Sequence, residues 1–174
     1  MRPRAALAAA LIALAIAPAP HAAQDAPWRV GLRSFGPVRF GMTLAQASAA
    51  LHEPLQLEDA EGDCGYVYPA SLPPGTSFMV VEGRIARVDV DSGATETLSG
   101  ARIGSTETEI RRLYPGRIRV RAHPYTGPEG HYLVFTPRES IDAGFGLIFE
   151  TDGRRVTSYR AGLHGPVQYI EGCL

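Results

Sequence analysis

Phe40-Gly41-Met42-Thr43, continuing through Leu44-Ala45-Gln46, has an echo 63 positions on in Ile103-Gly104-Ser105-Thr106, continuing through Glu107-Thr108-Glu109. In each copy a glycine stands two residues before a threonine, and Gln46 or Glu109 follows three residues after it. That spacing writes a capping box. The threonine hydroxyl accepts a first-turn N–H, and the longer side chain reaches back to the threonine's own N–H. Two helices therefore start at equivalent places. Within them Ala47, Ala50 and Leu51 fall on Ile110, Leu113 and Tyr114, an i, i+3, i+4 spacing that puts apolar groups on one stripe. Both helices are short, because Pro54 and Pro115 disfavour helical geometry in the residue before each.

The correspondence continues past the helices, where Leu55 and Leu57 meet Ile118 and Val120 in alternating, strand-like segments. Further strands are expected over residues 65–68, 77–82 and 85–91, with counterparts over 131–136, 145–150 and 156–161. Glu82-Gly83-Arg84 and Asp152-Gly153-Arg154 each read as the turn of a hairpin. The expected fold is α+β: two tandem repeats of one short helix plus about four antiparallel strands. They form one continuous curved antiparallel sheet with both helices on one face. The expected division is a signal peptide over 1–23, an N-terminal segment over 24–35, repeat 1 over 36–98 and repeat 2 over 99–174, in one globular unit.

The repeat resembles the tandem unit of the secreted beta-lactamase inhibitor proteins (BLIP-like domains) and the single unit of small outer-membrane assembly lipoproteins related to BamE. The resemblance is carried by Phe40-Gly41-Met42-Thr43, its echo at residues 103–106, and the helix-then-strands order across roughly residues 36 to 162. In the inhibitor family it implies a curved sheet whose concave face grips another protein. The chain departs from both relatives: it has no lipid-anchoring cysteine, and its two cysteines sit in different halves. No inhibitory residue carries over.

Arg2 and Arg4 precede an apolar run over residues 5–17 that is short for a ~30 Å hydrocarbon core, and small residues follow through Ala22 and Ala23. This predicts a cleaved secretory signal peptide and a periplasmic or secreted protein with no membrane span after its removal; an uncleaved anchor is the alternative. Cys64 and Cys173, the only cysteines, are then expected to form a disulfide, with two free thiols as the alternative. The formal net charge of -1 gives no electrostatic case for nucleic-acid binding. All 17 basic residues are arginine, which we read as genome composition.

Two constellations stand out as binding features. Arg117, Arg119 and Arg121 alternate with Ile118, Val120 and Ala122, so the three guanidinium groups are expected on one strand face as a ridge suited to an anionic partner, or simply as a solvated face. Arg87, Asp89 and Asp91 share a face on another strand and offer cross-strand ion pairs to that ridge. The segment over residues 123–131 reads as a loop carrying His123, Tyr125 and His131, with Tyr132 just beyond it; these are side chains of the kind that become binding anchors. Its counterpart over residues 58–63 is acidic, so the two loops either do different jobs or face each other. Residues 131–135 and 145–149 are apolar on both faces. Either loops or the segment with Trp28 cover the second face, or it is open to a partner.

No hydrolase elbow, zinc-protease motif, phosphate loop or dinucleotide fingerprint is present, and no cofactor is implied. Asp89 and Asp91 supply too few oxygens for calcium, and the loop histidines lack an evident third metal ligand. The expected function is a non-enzymatic interaction module binding an envelope or secreted protein through an exposed sheet face and the adjoining loop. The alternatives are a small-molecule or glycan binder using the arginine ridge and, behind it, a hydrolase with a convergent site built around His131 with Glu129 or Asp142.

Overall fold

The computed structural model describes residues 28–173, so the expected signal peptide lies outside the described residues. Helices α1 (Leu44–Leu51) and α2 (Glu107–Leu113) begin where the capping boxes put them. Thr43 Oγ1 accepts from Gln46 N at 3.2 Å while Thr43 N donates to Gln46 Oε1 at 2.9 Å; Thr106 and Glu109 repeat the pair at 3.2 and 2.7 Å.

Twelve strands run in chain order. The first half holds β1 (Arg29–Val30), β2 (Ser34–Phe35), β3 (Val38–Arg39), β4 (Glu58–Glu61), β5 (Cys64–Val67), β6 (Thr76–Val81), β7 (Arg84–Val90) and β8 (Glu96–Thr97). The second holds β9 (Ile118–Ala122), β10 (His131–Phe135), β11 (Phe145–Thr151) and β12 (Val156–Leu163). An eight-stranded antiparallel sheet has the order β4-β5-β6-β7-β12-β11-β10-β9, so each repeat contributes a four-stranded meander and the two join edge to edge at β7–β12.

The expectation of one continuous sheet is corrected. A second sheet, β3-β2-β1-β8, is built from the segment before α1 and the link between the repeats, and its β1–β8 pair is parallel. Its strands have two residues each, too few for a period of two to register in sequence. Two further readings change. Leu55 and Leu57 lie outside any strand, and the acidic stretch read as a loop is strand β4 with its turn at Gly62. Four consecutive exposed residues, three of them acidic, carry no alternation to announce a strand.

The duplication is written into the backbone. Gly41 and Gly104, both at positive φ, donate to Ile85 O at 2.7 Å and Val156 O at 2.8 Å. Arg84 Nη1 and Arg155 Nη1 donate to Gly41 O at 2.9 Å and Gly104 O at 2.7 Å. Ile85 and Val156 are thus equivalent, and so are the next residues, Ala86 and Thr157, each the extra residue of a bulge against the preceding strand. Counted onward, Asp89 is the equivalent of Arg160. These two are also direct partners across β7–β12, so the pseudo-twofold axis passes through that pair.

The main core lies on one side of the large sheet. Val67, Phe78, Val88, Leu133, Phe149, Tyr159 and Ala161 cluster there with Ala47 of α1, Ile110 of α2 and Val30, Phe35 and Val38 of the small sheet. Trp28 packs on Phe35 in the same cluster, 4.9 Å between ring centroids, so it does not cover the other face.

Candidate functional site

Covering the other face falls to the residues after β12. The chain turns through residues 164–165, forms one 3-10 turn at Pro166–Gln168, and crosses the sheet to Cys173, which is disulfide-bonded to Cys64 at the start of β5. Val167 is fully buried against Tyr132 and Ile148, which settles the two-faced apolar pattern of β10 and β11 in favour of internal covering at that point. A Cβ at Gly146 would lie 2.6 Å from Val167 Cγ1, so a glycine is required beneath this contact. Two arginines from the centre of the sheet hold the crossing backbone. Arg87 Nη1 donates to Pro166 O at 2.7 Å and Tyr169 O at 2.8 Å, and Arg160 Nε donates to Val167 O at 2.7 Å.

Those arginines belong to a row of buried charge. Arg87 Nε donates to Asp89 Oδ2 at 2.9 Å; Arg160 Nη1 pairs with Glu150 Oε1; Glu150 Oε2 lies 3.2 Å from His123 Nε2. Arg160 also sits over the Tyr132 ring at 5.3 Å. Burial pushes the Asp89 carboxyl above its ordinary range, opposed by Arg87, and raises Asp91 as well, with the negative charge of Glu150 adding to it. Burial likewise raises the hydroxyls of Tyr66 and Tyr132. Satisfaction is incomplete: Arg160 Nη2 and the Tyr132 hydroxyl are buried without a hydrogen-bond partner among the described residues. Such groups cost about 1–3 kcal/mol each.

Between the sheet and the crossing segment lies a cleft of about 440 Å³, walled by Asp89, Asp91 and Glu150, Arg87 and Arg160, and Glu171 of the crossing segment. A neighbouring open depression of about 670 Å³ runs along the disulfide and is lined by Glu61, Gly62, Tyr125, Tyr169 and Ile170. The turn after β4 and the loop after β9 belong to opposite edges of an eight-stranded sheet. Glu61 and Gly62 of the acidic turn and Tyr125 of the aromatic loop border this depression from either end, and the Tyr125 hydroxyl reaches Glu171 of the crossing segment.

His123, Tyr125 and Tyr132 come together on this covered face, the rings of His123 and Tyr132 4.6 Å apart. His131 does not join them. Its Nδ1 is 2.7 Å from Glu107 Oε1, which also accepts from Thr151 Oγ1 at 2.6 Å, a buttress at the start of α2. The partners considered for it, Glu129 and Asp142, are not its partners, and Asp142 is paired with Arg33. Arg119 and Arg121 stand on the covered face opposite Val134 and Tyr132. Arg117 departs from the ridge, because β9 begins only at Ile118: it stacks on Phe135 at 5.1 Å and bonds Thr136 O and Glu139. The expected cross-strand pairing between the ridge and Asp89 is absent; Arg87 takes that carboxylate from within its own strand. Among the described residues no group of three or more His, Cys, Asp or Glu is placed to hold a metal ion, and no helix is long and apolar enough to cross a membrane. Sequence reasoning missed Arg160, Glu150 and the segment over 165–173; the one available signal was Cys173, whose bridge to Cys64 must carry those residues across the sheet.

No protein-family model, curated protein or solved structure matches this chain.

Proposed function

We propose that the protein is a periplasmic or secreted, non-enzymatic interaction module that grips a protein partner with the rim of the covered sheet face. The observation that carries this reading is the grouping of exposed aromatic and aliphatic side chains. Of the seven large apolar residues exposed among the described residues, Tyr68, Tyr125, Tyr169 and Ile170 all border the two depressions along the crossing segment. Tyrosines around a desolvated polar floor are the composition of a binding hot spot, and the disulfide holds them ready without a large ordering cost on association. The sequence resemblance of the repeat to BLIP-like domains implies this same mode of binding.

The chemistry of the floor fits recognition better than catalysis. Every guanidinium nitrogen of its two arginines except Arg160 Nη2 is engaged with protein groups, chiefly backbone carbonyls and carboxylates, and His123 is engaged with Glu150 and does not line the cleft. The test is capture from envelope extract under native, oxidising conditions. Tyr125→Ala with Tyr169→Ala is expected to lower recovery of a defined partner at least ~10-fold, since central aromatic anchors cost about 2 kcal/mol or more. Ile141→Ala, at an exposed site away from both depressions, is expected to leave it unchanged. Equal loss from both variants, or from neither, would remove this surface from consideration.

A further inference from the structure

On the covered face, two duplicated positions reverse in charge between the repeats. Glu58 lies beside Tyr66 on β5, and at the equivalent place in repeat 2 Arg121 lies beside Tyr132. At the axis the equivalent residues are Asp89 and Arg160. Two backbone positions thus change from carboxylate in repeat 1 to guanidinium in repeat 2, on the same face of one sheet.

On the repeat 2 side lies a groove whose wall carries arginines and no carboxylate. A cavity of about 210 Å³ is lined by Arg121, Tyr132, Arg160 and Gln168 over a floor of Val134 and Ile148. It adjoins a second of about 320 Å³ that shares Arg121, Val134 and Gln168 and adds Arg119 and His164. No aspartate or glutamate lines either one. Glu150, the nearest carboxylate, is already held by Arg160 and His123. Neither Arg119 nor Arg121 has an ion pair or side-chain hydrogen bond among the described residues, a state shared by Arg39, Arg111, Arg112, Arg138 and Arg154; what sets the two apart is that they line this groove. Of the three buried side-chain polar atoms left without a hydrogen-bond partner among the described residues, two, Arg160 Nη2 and the Tyr132 hydroxyl, belong to residues of this same wall, and the third is Thr95 Oγ1.

We propose that this groove is the anchor point for a carboxylate side chain, glutamate or aspartate, on an acidic segment of the protein partner. The inference rests on the interaction reading above and names the partner's chemistry. A guanidinium presents parallel N–H groups that match the two oxygens of a carboxylate, and the apolar floor takes the methylene stem. Arg121, at the exposed mouth, makes the first contact. Gln168, half-buried above the sealed donors, is the side chain that yields to let the carboxylate reach them.

The test uses the full mature chain with its disulfide intact. The probe is an acetylated, amidated tetraglutamate peptide, with its tetraglutamine counterpart and free acetate as the other arms. Binding is read by nuclear magnetic resonance at the arginine Nε–H and glutamine side-chain amide signals. The glutamate peptide is expected to shift Arg121, Arg160 and Gln168 while leaving Arg111 and Arg112 of α2 unmoved, and Arg121→Gln is expected to weaken it ~10-fold. Arg121 is exposed, so the variant keeps its fold, and unchanged backbone signals confirm that. Shifts spread evenly over all arginines, an equal response to the glutamine peptide, or no effect of Arg121→Gln would overturn the anchor. Acetate that saturates the site as tightly as the peptide would reassign it to a free small carboxylate and overturn the protein segment. Partner capture that is lost in the tyrosine variants but kept in Arg121→Gln would leave the interaction reading standing and this anchor refuted.

Discussion

Asp91 shows how single side chains set the electrostatics of the covered face. It shares the cleft wall with Asp89 and Glu150, and its carboxyl is raised by burial and by the charge of Glu150, against the pull of Arg87 and Arg160. The native state therefore holds a proton on Asp91 more tightly than the unfolded chain does, whose value is near 3.8. Below that pH both states are protonated and nothing is lost. As pH climbs through the folded value, the native state alone bears the cost of ionising in place, so stability falls. Asp91→Asn removes this dependence. Its stability relative to wild type is expected to be greater at pH 7 than at pH 3 in paired urea titrations, and parallel curves across that range would contradict the assignment. At this scale the sequence was legible where contacts are local. Thr43 with Gln46 and Thr106 with Glu109 are three residues apart and could be read outright. His131 with Glu107, 24 residues apart, and Arg160 with the carbonyl of Val167 beyond a turn could not, because tertiary placement decides those partners.

Helices, hairpins and the crossing segment differ in how plainly they were announced. Both helices and the six longer strands were readable because apolar periodicity repeats over several residues in each. Strand β4 was hidden by its uniform exposure, the small sheet by the brevity of its strands, and Arg117 was placed on the wrong face because nothing in the alternation marks where β9 begins. The two capping boxes invite a direct comparison: Thr43→Ala and Thr106→Ala are expected to cost about 1 kcal/mol each. Serving separate helices, they are expected to add within about 0.5 kcal/mol in the double variant when measured by chemical denaturation. A strongly cooperative double variant would mean that the helix starts do not act independently. The crossing segment has its own reporter. Gly146→Ala places a methyl group against Val167 and is expected to destabilise by about 1–3 kcal/mol while exposing Tyr132, which intrinsic fluorescence or a hydroxyl-radical footprint would register. Full stability and unchanged Tyr132 protection would show that the segment accommodates the methyl group at little cost.

For the whole molecule, fusing two copies allowed what a symmetric dimer of one copy cannot have. A residue on the axis of a true dimer meets its own kind, aspartate against aspartate or arginine against arginine. In the fused chain the equivalents diverged into Asp89 and Arg160, and each recruited a second partner, Arg87 and Glu150. The Cys64–Cys173 bridge, with a sequence separation of 109, then ties the first repeat to the residues that follow the second. Replacing both cysteines by serine is expected to cost about 3–5 kcal/mol by the chain-entropy argument while leaving the far-ultraviolet signature of the eight-stranded sheet. Loss of that signature would mean that the sheet depends on the bridge.

Because Cys173 comes after every strand of both meanders, a ribosome must finish the entire scaffold before the bridge can close. Until then the crossing residues are held by two guanidinium groups, one buried valine and the Tyr125 hydroxyl on Glu171. The cover of this sheet face is in this sense a post-assembly fitting, completed by oxidation, and a copy kept reduced would carry a folded sheet with an untied cover.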